Sequence, residues 1–290
     1  MTTFVVFLMS ALGFAGTLTL IALGLVLIMR ATGVFNFAQG QFMILPALIV
    51  AQLQLSGWPF WLSLILGLLF GALIAALFYR FVLERTTGMN HIYPVIATLA
   101  FASVLDGVMG ILFGPKTYSL IIPGMPTSTV NIAGAQFTTV SIVMAVGSLL
   151  LAVIVALLLR FTRMGTRLVS AGQDPLLASL SAINVRRVFV LSWSLAAVLA
   201  GVAGIAYAST TVINSTVVSM ALLAAPAMVI GGLDSIEGAI VGGLAIGVIQ
   251  AATATFLGGE YIEVVSYAIL LIVLQLLPNG IFGTKQIVRA

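Results

Sequence analysis

The chain has 290 residues, of which 62% are hydrophobic and only 6% charged, and its mean hydropathy is +1.27. It contains no cysteine, which excludes a disulfide framework, a thiolate metal site and a catalytic thiol. The net charge of +4 comes from basic residues scattered at the ends of apolar runs, a pattern that fits lipid headgroups and membrane orientation and argues against nucleic acid as a partner.

Uncharged runs at 4–29, 31–79, 117–159, 188–233, 238–259 and 264–284 each hold one or two spans, at roughly 20 apolar residues per helix. Continuous runs favour helices over a transmembrane barrel, whose strands alternate polar and apolar side chains. The expected fold class is therefore all-α: a polytopic transmembrane helical bundle of about eight to ten membrane segments, forming a single domain over residues 1–290. Spans are expected near 4–29, 36–55, 58–79, 92–113, 138–159, 188–208, 219–233, 238–257 and 264–282. The seventh is short, so it and the eighth are candidates for half-helices. The N-terminal stretch lacks a charged n-region and its apolar run continues to Met29, which reads as a span and not as a cleaved signal.

The first interruption is RATGVFNFAQGQ, from Arg30 to Gln41, with Asn36, Gln39 and Gln41 plus Gly33 and Gly40. Polar, unwound backbone at membrane depth is tolerated where it is buried in protein or lines a cavity, so these three residues are candidates for a translocation path. Asp106 is the one carboxylate deep in an expected span and joins them: an ionisable group there pairs, relays protons or contacts a substrate amino group. His91, the lone histidine, has no second ligand near it in sequence, so a headgroup or capping role is expected and no metal site. Residues 115–137 form the one sizeable external loop, where Pro123, Gly124, Pro126 and Gly134 favour turns and extended pieces over helix.

The stretch from Arg163 to Val188 is the longest without a continuous apolar run. Arg163, Arg167, Arg186 and Arg187 flank a helix start signal in which Asp174 caps and Pro175 occupies the first turn. Leu176, Leu177, Leu180 and Ile183 recur at helical spacing, and Asn184 is the expected stop. Such a helix either grips a partner or lies on the headgroups. If the loop 161–187 is cytoplasmic, ten of the eleven basic residues, including Arg30, Arg80, Arg85, Lys285 and Arg289, fall inside and only Lys116 outside, with the N-terminus outside. Further on, APAMVIGGLDSIEGAIVGGLAIG (225–247) brings Gly231, Gly232, Gly238, Gly242 and Gly243 together, either for close helix packing or as a hinge. Gln250 and Gln275 are expected on interior surfaces or in interhelical bonds.

No phosphate-binding GxxxxGK[ST] loop, HExxH, GxSxG or dinucleotide fingerprint occurs, so neither a catalytic residue nor a cofactor is expected. Few charges lie at the midplane, which disfavours an ion-coupled secondary carrier. A chain built to move something without a motor takes one from a partner.

The segments GVFNFAQGQFMILPALI (33–49), GTRLVSAGQDPLLASLSAINVRRV (165–188), LAGVAGIAY (199–207), IGGLDSIEGAIVGGLAIGVIQ (230–250) and LLPNGIFG (276–283) resemble the high-affinity branched-chain amino acid ABC permease family, the Liv H-type subunit. The matches run in order along nearly the whole chain. The resemblance implies the permease half of a bacterial ABC importer in the inner membrane, partnered by a homologous second permease, two cytoplasmic ATP-binding subunits and a periplasmic substrate-binding protein. It implies ATPase coupling through Arg163, Gly165, Arg167, Asp174, Pro175, Leu176, Leu177, Leu180, Ile183, Asn184, Arg186 and Arg187. Members of the family also carry urea, short amides and other amino acids. Three departures stand out: Ala182 and Pro46 stand where glycines are usual, and the QDP at 173–175 replaces an asparagine–proline pairing.

Overall fold

Helices form wherever the apolar runs are uninterrupted. The computed structural model describes residues 2–86, 88–90, 92–125, 128–214 and 219–283. His91, Pro126, Lys285 and Arg289 lie outside the described residues. In chain order come α1 (Thr2–Thr32), α2 (Gln39–Leu55), α3 (Phe60–Phe81), α4 (Ile92–Phe113), the strands β1 (Thr129–Ile132) and β2 (Ala135–Thr138), and α5 (Thr139–Phe161). They are followed by α6 (Arg163–Gln173), α7 (Pro175–Leu180), α8 (Val185–Ala208), α9 (Ser219–Leu222), α10 (Ala224–Gly231), α11 (Ile236–Phe256) and α12 (Ile262–Leu276). Seven helices among the described residues are long and apolar enough to cross a membrane, and α2 is a shorter apolar one. The chain is a polytopic helical membrane protein.

The expected span at 219–233 is not one helix. Pro226 has no N–H to offer the Leu222 carbonyl four residues back, and its ring crowds that carbonyl. The helix accordingly stops at Leu222 and restarts at Ala224. It ends again at Gly232, whose φ of +115° is open to glycine and to few other residues. The eighth segment, by contrast, is the unbroken α11. The last expected span, 264–282, is helical only to Leu276; beyond it, the N–H groups of Ile281 and Phe282 donate to the carbonyls of Ile230 and Gly231 at the end of α10. These bonds satisfy carbonyls that a helix end leaves open.

The bundle is organised around α1, in which every residue from Leu18 to Ile28 is buried. The helices α5, α8, α10 and α11 pack around it, α2 lies on α8 and α3, and α4 sits at the periphery against α2. Helices in lipid gain little from apolar burial against one another, so contact depends on close packing of small residues. Gly243 and Gly247 of α11 lie against Thr19 and Ala15 of α1, and Gly204 of α8 abuts the Met43 carbonyl of α2. Pro46 inserts its ring between Gly71 of α3 and Gly201 of α8, which have no side chains to obstruct it.

The two ends of the bundle differ. At one end α6 lies against the C-terminal ends of α1 and α5, while Arg160 pairs with Glu237 at 3.4 Å and Arg186 with Glu84. At the other, the segment after α4 is tied down: Tyr118 and Ile213 exchange backbone hydrogen bonds at 2.7 and 2.8 Å, and the Thr2 hydroxyl donates to the Ala133 carbonyl. The extended pieces expected there are the hairpin β1–β2, paired from Thr129↔Thr138 to Ile132↔Ala135.

Candidate functional site

The arginine-flanked stretch folds as two short helices, not one. The first, α6, went unread because its polar sequence carries two glycines. Those glycines are what seat it. A Cβ on Gly165 would overlap the Leu159 carbonyl of α5, and one on Gly172 would overlap the Arg30 carbonyl of α1. Leu168 and Ala171 complete the buried face, while Arg163 and Arg167 are exposed.

The second helix starts where the capping signal put it. The Asp174 backbone is extended and its Oδ1 accepts from the Leu177 N–H at 2.9 Å, with Pro175 in the first turn. Such a cap contributes about 1 kcal/mol. The stop is corrected: α7 ends at Leu180 and Ser181, so Ile183 lies beyond it, half-buried against the core. Asn184 does not end this helix. Its Oδ1 accepts from the Arg187 N–H at 3.0 Å and so caps the start of α8. Between the two helices, Ala182 has a φ of +59°, the left-handed region that favours glycine.

Two consequences follow for the surface at this end. Leu176, Leu177 and Leu180 are 70%, 60% and 76% exposed, an apolar ridge on a chain end rich in arginine. Beside it, Arg167 and Arg187 line a cavity of about 470 Å³ together with Met164, Ile183 and Asn184. Arg186 does not join them, because its guanidinium is bound to Glu84, which also takes Arg80 at 2.7 Å.

The four polar residues expected on a path form two pairs. Asn36 Nδ2 donates to Gln39 Oε1 at 2.9 Å, Asn36 Oδ1 accepts from the Ala38 N–H, and Gln39 Nε2 reaches the Ala196 carbonyl of α8 at 3.3 Å. Both side chains are buried, so this pair fastens the break between α1 and α2. Thr98 of α4, which sequence reasoning missed, helps: its hydroxyl lies 3.4 Å from both the Phe37 N–H and the Phe35 carbonyl. The second pair is different. Gln41 Nε2 donates to both carboxylate oxygens of Asp106, at 3.1 and 3.2 Å, and Asp106 stands on the outward face of α4.

The glycines at 231–243 are packing contacts in this conformation: Gly231 meets Gly238, Gly242 meets the Ala227 carbonyl, and Gly243 meets Thr19. Gly231, Gly238 and Gly242 hold the half-helix α10 against the first half of α11, and Gly243 seats α11 on α1. Glu237 lies in the first turn of α11, not in the connection that precedes it, and pairs with Arg160. Gln250 makes an interhelical bond to Ser266 at 3.2 Å, and Gln275 is exposed. No group of three or more histidine, aspartate or glutamate side chains that could hold a metal occurs among the described residues.

The structure thus combines a buried helical hub, a polar break, a half-helix and an arginine-rich end with a capped apolar ridge. The family model described as "Branched-chain amino acid transport system / permease component" matches residues 7–274. The high-affinity branched-chain amino acid transport system permease protein LivH of Salmonella typhimurium is 31% identical, the match covering 93% of this chain and 92% of that protein. LivH of Escherichia coli is 29% identical over the same shares. BraD of Pseudomonas aeruginosa, of the same description, is 27% identical over 97% and 96%. The chain belongs to the family of branched-chain amino acid transport system permease components.

Proposed function

We propose that this chain is one permease subunit of a bacterial ABC importer in the inner membrane, and that it forms part of the path for branched-chain amino acids. The observation that carries the motor-dependent part is the α6–α7 pair. A helix of six residues with a side-chain cap, three exposed leucines and flanking arginines is built as a rigid protrusion, and it rests on α6, which touches both α1 and α5. Motion imposed on α7 thus reaches the central helix.

In this reading residues 1–290 are one transmembrane domain, 161–187 is the cytoplasmic coupling segment and 115–137 the external platform for a periplasmic substrate-binding protein. One of two cytoplasmic ATP-binding subunits docks on Leu176, Leu177 and Leu180, and a homologous second permease completes the path and receives the other. The chain itself performs no catalysis. Nucleotide binding closes the ATP-binding subunits, which moves α7, and the helices rock about contacts such as Gly231–Gly238 and Gly242–Ala227. The driving force enters through that docking contact, since nucleotide shifts the two states only by its differential affinity for them. Asn36 and Gln39 hold the polar break at the side of the path.

Mass spectrometry of the complex purified from the native membrane in mild detergent tests this. The expected result is co-purification of a second permease and two subunits bearing the phosphate-binding loop. Recovery of this chain alone as a stable, transporting species contradicts it.

A further inference from the structure

The Gln41–Asp106 pair has a chemistry that packing does not use up. Gln41 is only 3% exposed, both of its observed bonds run from Nε2, and its Oε1 has no hydrogen-bond partner. Turning the amide over would bring Oε1 against the carboxylate, so the donor is held towards Asp106 and the acceptor is left over. Asp106 makes no ion pair among the described residues. It stands about 20 Å along α4 from the start of that helix, at 1.5 Å per residue, well inside the apolar span. A carboxylate there is too costly to face lipid and belongs against protein or a water-filled path. One turn further along the same face of α4, Gly110 has open space where a side chain would stand.

An unneutralised carboxylate, an adjacent unfilled amide oxygen and an unobstructed helix surface are complementary to one small group that carries positive charge and several N–H donors. We propose that Asp106 and the Gln41 Oε1 bind the α-ammonium of the transported amino acid, at the face where this chain meets the second permease. An ammonium offers three donors, enough for the carboxylate and the amide oxygen at once. The apolar surroundings suit the aliphatic side chain. This assignment rests on the permease reading above and adds which two atoms recognise the cargo.

The test uses the assembled complex, with its binding protein, in proteoliposomes loaded with ATP, and reads leucine uptake alongside recovery of the assembled complex. Asp106→Asn keeps the size of the side chain and one oxygen to accept from Gln41, and removes the charge and the second acceptor. Its uptake should fall by about 10- to 100-fold, the scale of one lost charge-assisted hydrogen bond, with assembly unchanged. Moving the charge across the pair, in Gln41→Glu with Asp106→Asn, should restore most of the uptake. Wild-type uptake by Asp106→Asn overturns the assignment, and so does an assembled swap variant that remains inactive. If Asp106→Asn fails to assemble, the swap decides alone: assembly with uptake supports the assignment, and assembly without uptake overturns it. Absence of ATP-driven uptake in the wild-type complex defeats the permease reading and this assignment with it, whereas an active wild type beside an equally active Asp106→Asn defeats this assignment only.

Discussion

Truncating Leu180 to alanine probes the proposed coupling contact directly. Fully burying a leucine stabilises by about 1.5–3 kcal/mol. Leu176, Leu177 and Leu180 keep 70%, 60% and 76% of their surface open, so covering one of them with a partner contributes about two-thirds of that, on the order of 1–2 kcal/mol. Leu180→Ala removes most of this contribution and weakens docking of the ATP-binding subunits by roughly 5- to 30-fold. Adding Leu177→Ala deepens the loss. The assay titrates the purified permease pair with labelled ATP-binding subunits and reads the dissociation constant. Thermal unfolding of the free permease serves as control and should be unchanged, because the side chain touches little within its own chain. A Leu180→Ala variant that docks within about twofold of wild type, a difference below 0.5 kcal/mol, refutes the placement of the docking ridge on α7.

Three further predictions concern the scaffold. Ala182→Gly should raise stability by up to about 1 kcal/mol, because φ = +59° strains an alanine and not a glycine; a lowered melting temperature contradicts the left-handed turn between α7 and α8. Gly204→Ala should destabilise by about 1–3 kcal/mol, since its Cβ would overlap the Met43 carbonyl and part α8 from α2. Gly147→Ala, on an α5 surface with nothing within 4 Å, should instead stabilise by about 0.5–1 kcal/mol through helix propensity. Melting temperatures in detergent that shift in the same direction for both glycines refute the packing assigned to α8.

What the sequence made legible was what local chemistry decides. The helical class followed from runs too long and too uniform for strands. The start of α7 was readable because Asp174 and Pro175 act within one turn of themselves. Asn184 was misassigned because the same residue type serves at the end of one helix and the start of the next, and here only three residues separate Leu180 from Asn184. The helix α6 was missed because Gly165 and Gly172 look like loop residues until the carbonyls they accommodate, on other helices, are in view. The break at Leu222 was in principle readable from Pro226, but the apolar composition on either side disguised it. Likewise, Glu84 as the partner of Arg186, Thr98 as the prop of the 33–38 break and Gln41 as the partner of Asp106 are contacts between residues far apart in sequence. Local patterns carry no trace of them.

The most direct test of the account is leucine uptake by proteoliposomes that hold this chain, alone or assembled with the second permease, the ATP-binding subunits and the binding protein. Uptake that requires ATP and the complete assembly, and that persists when proton and sodium gradients are collapsed, is the predicted result. Uptake by this chain alone, driven by an ion gradient and indifferent to ATP, would contradict the account at its centre.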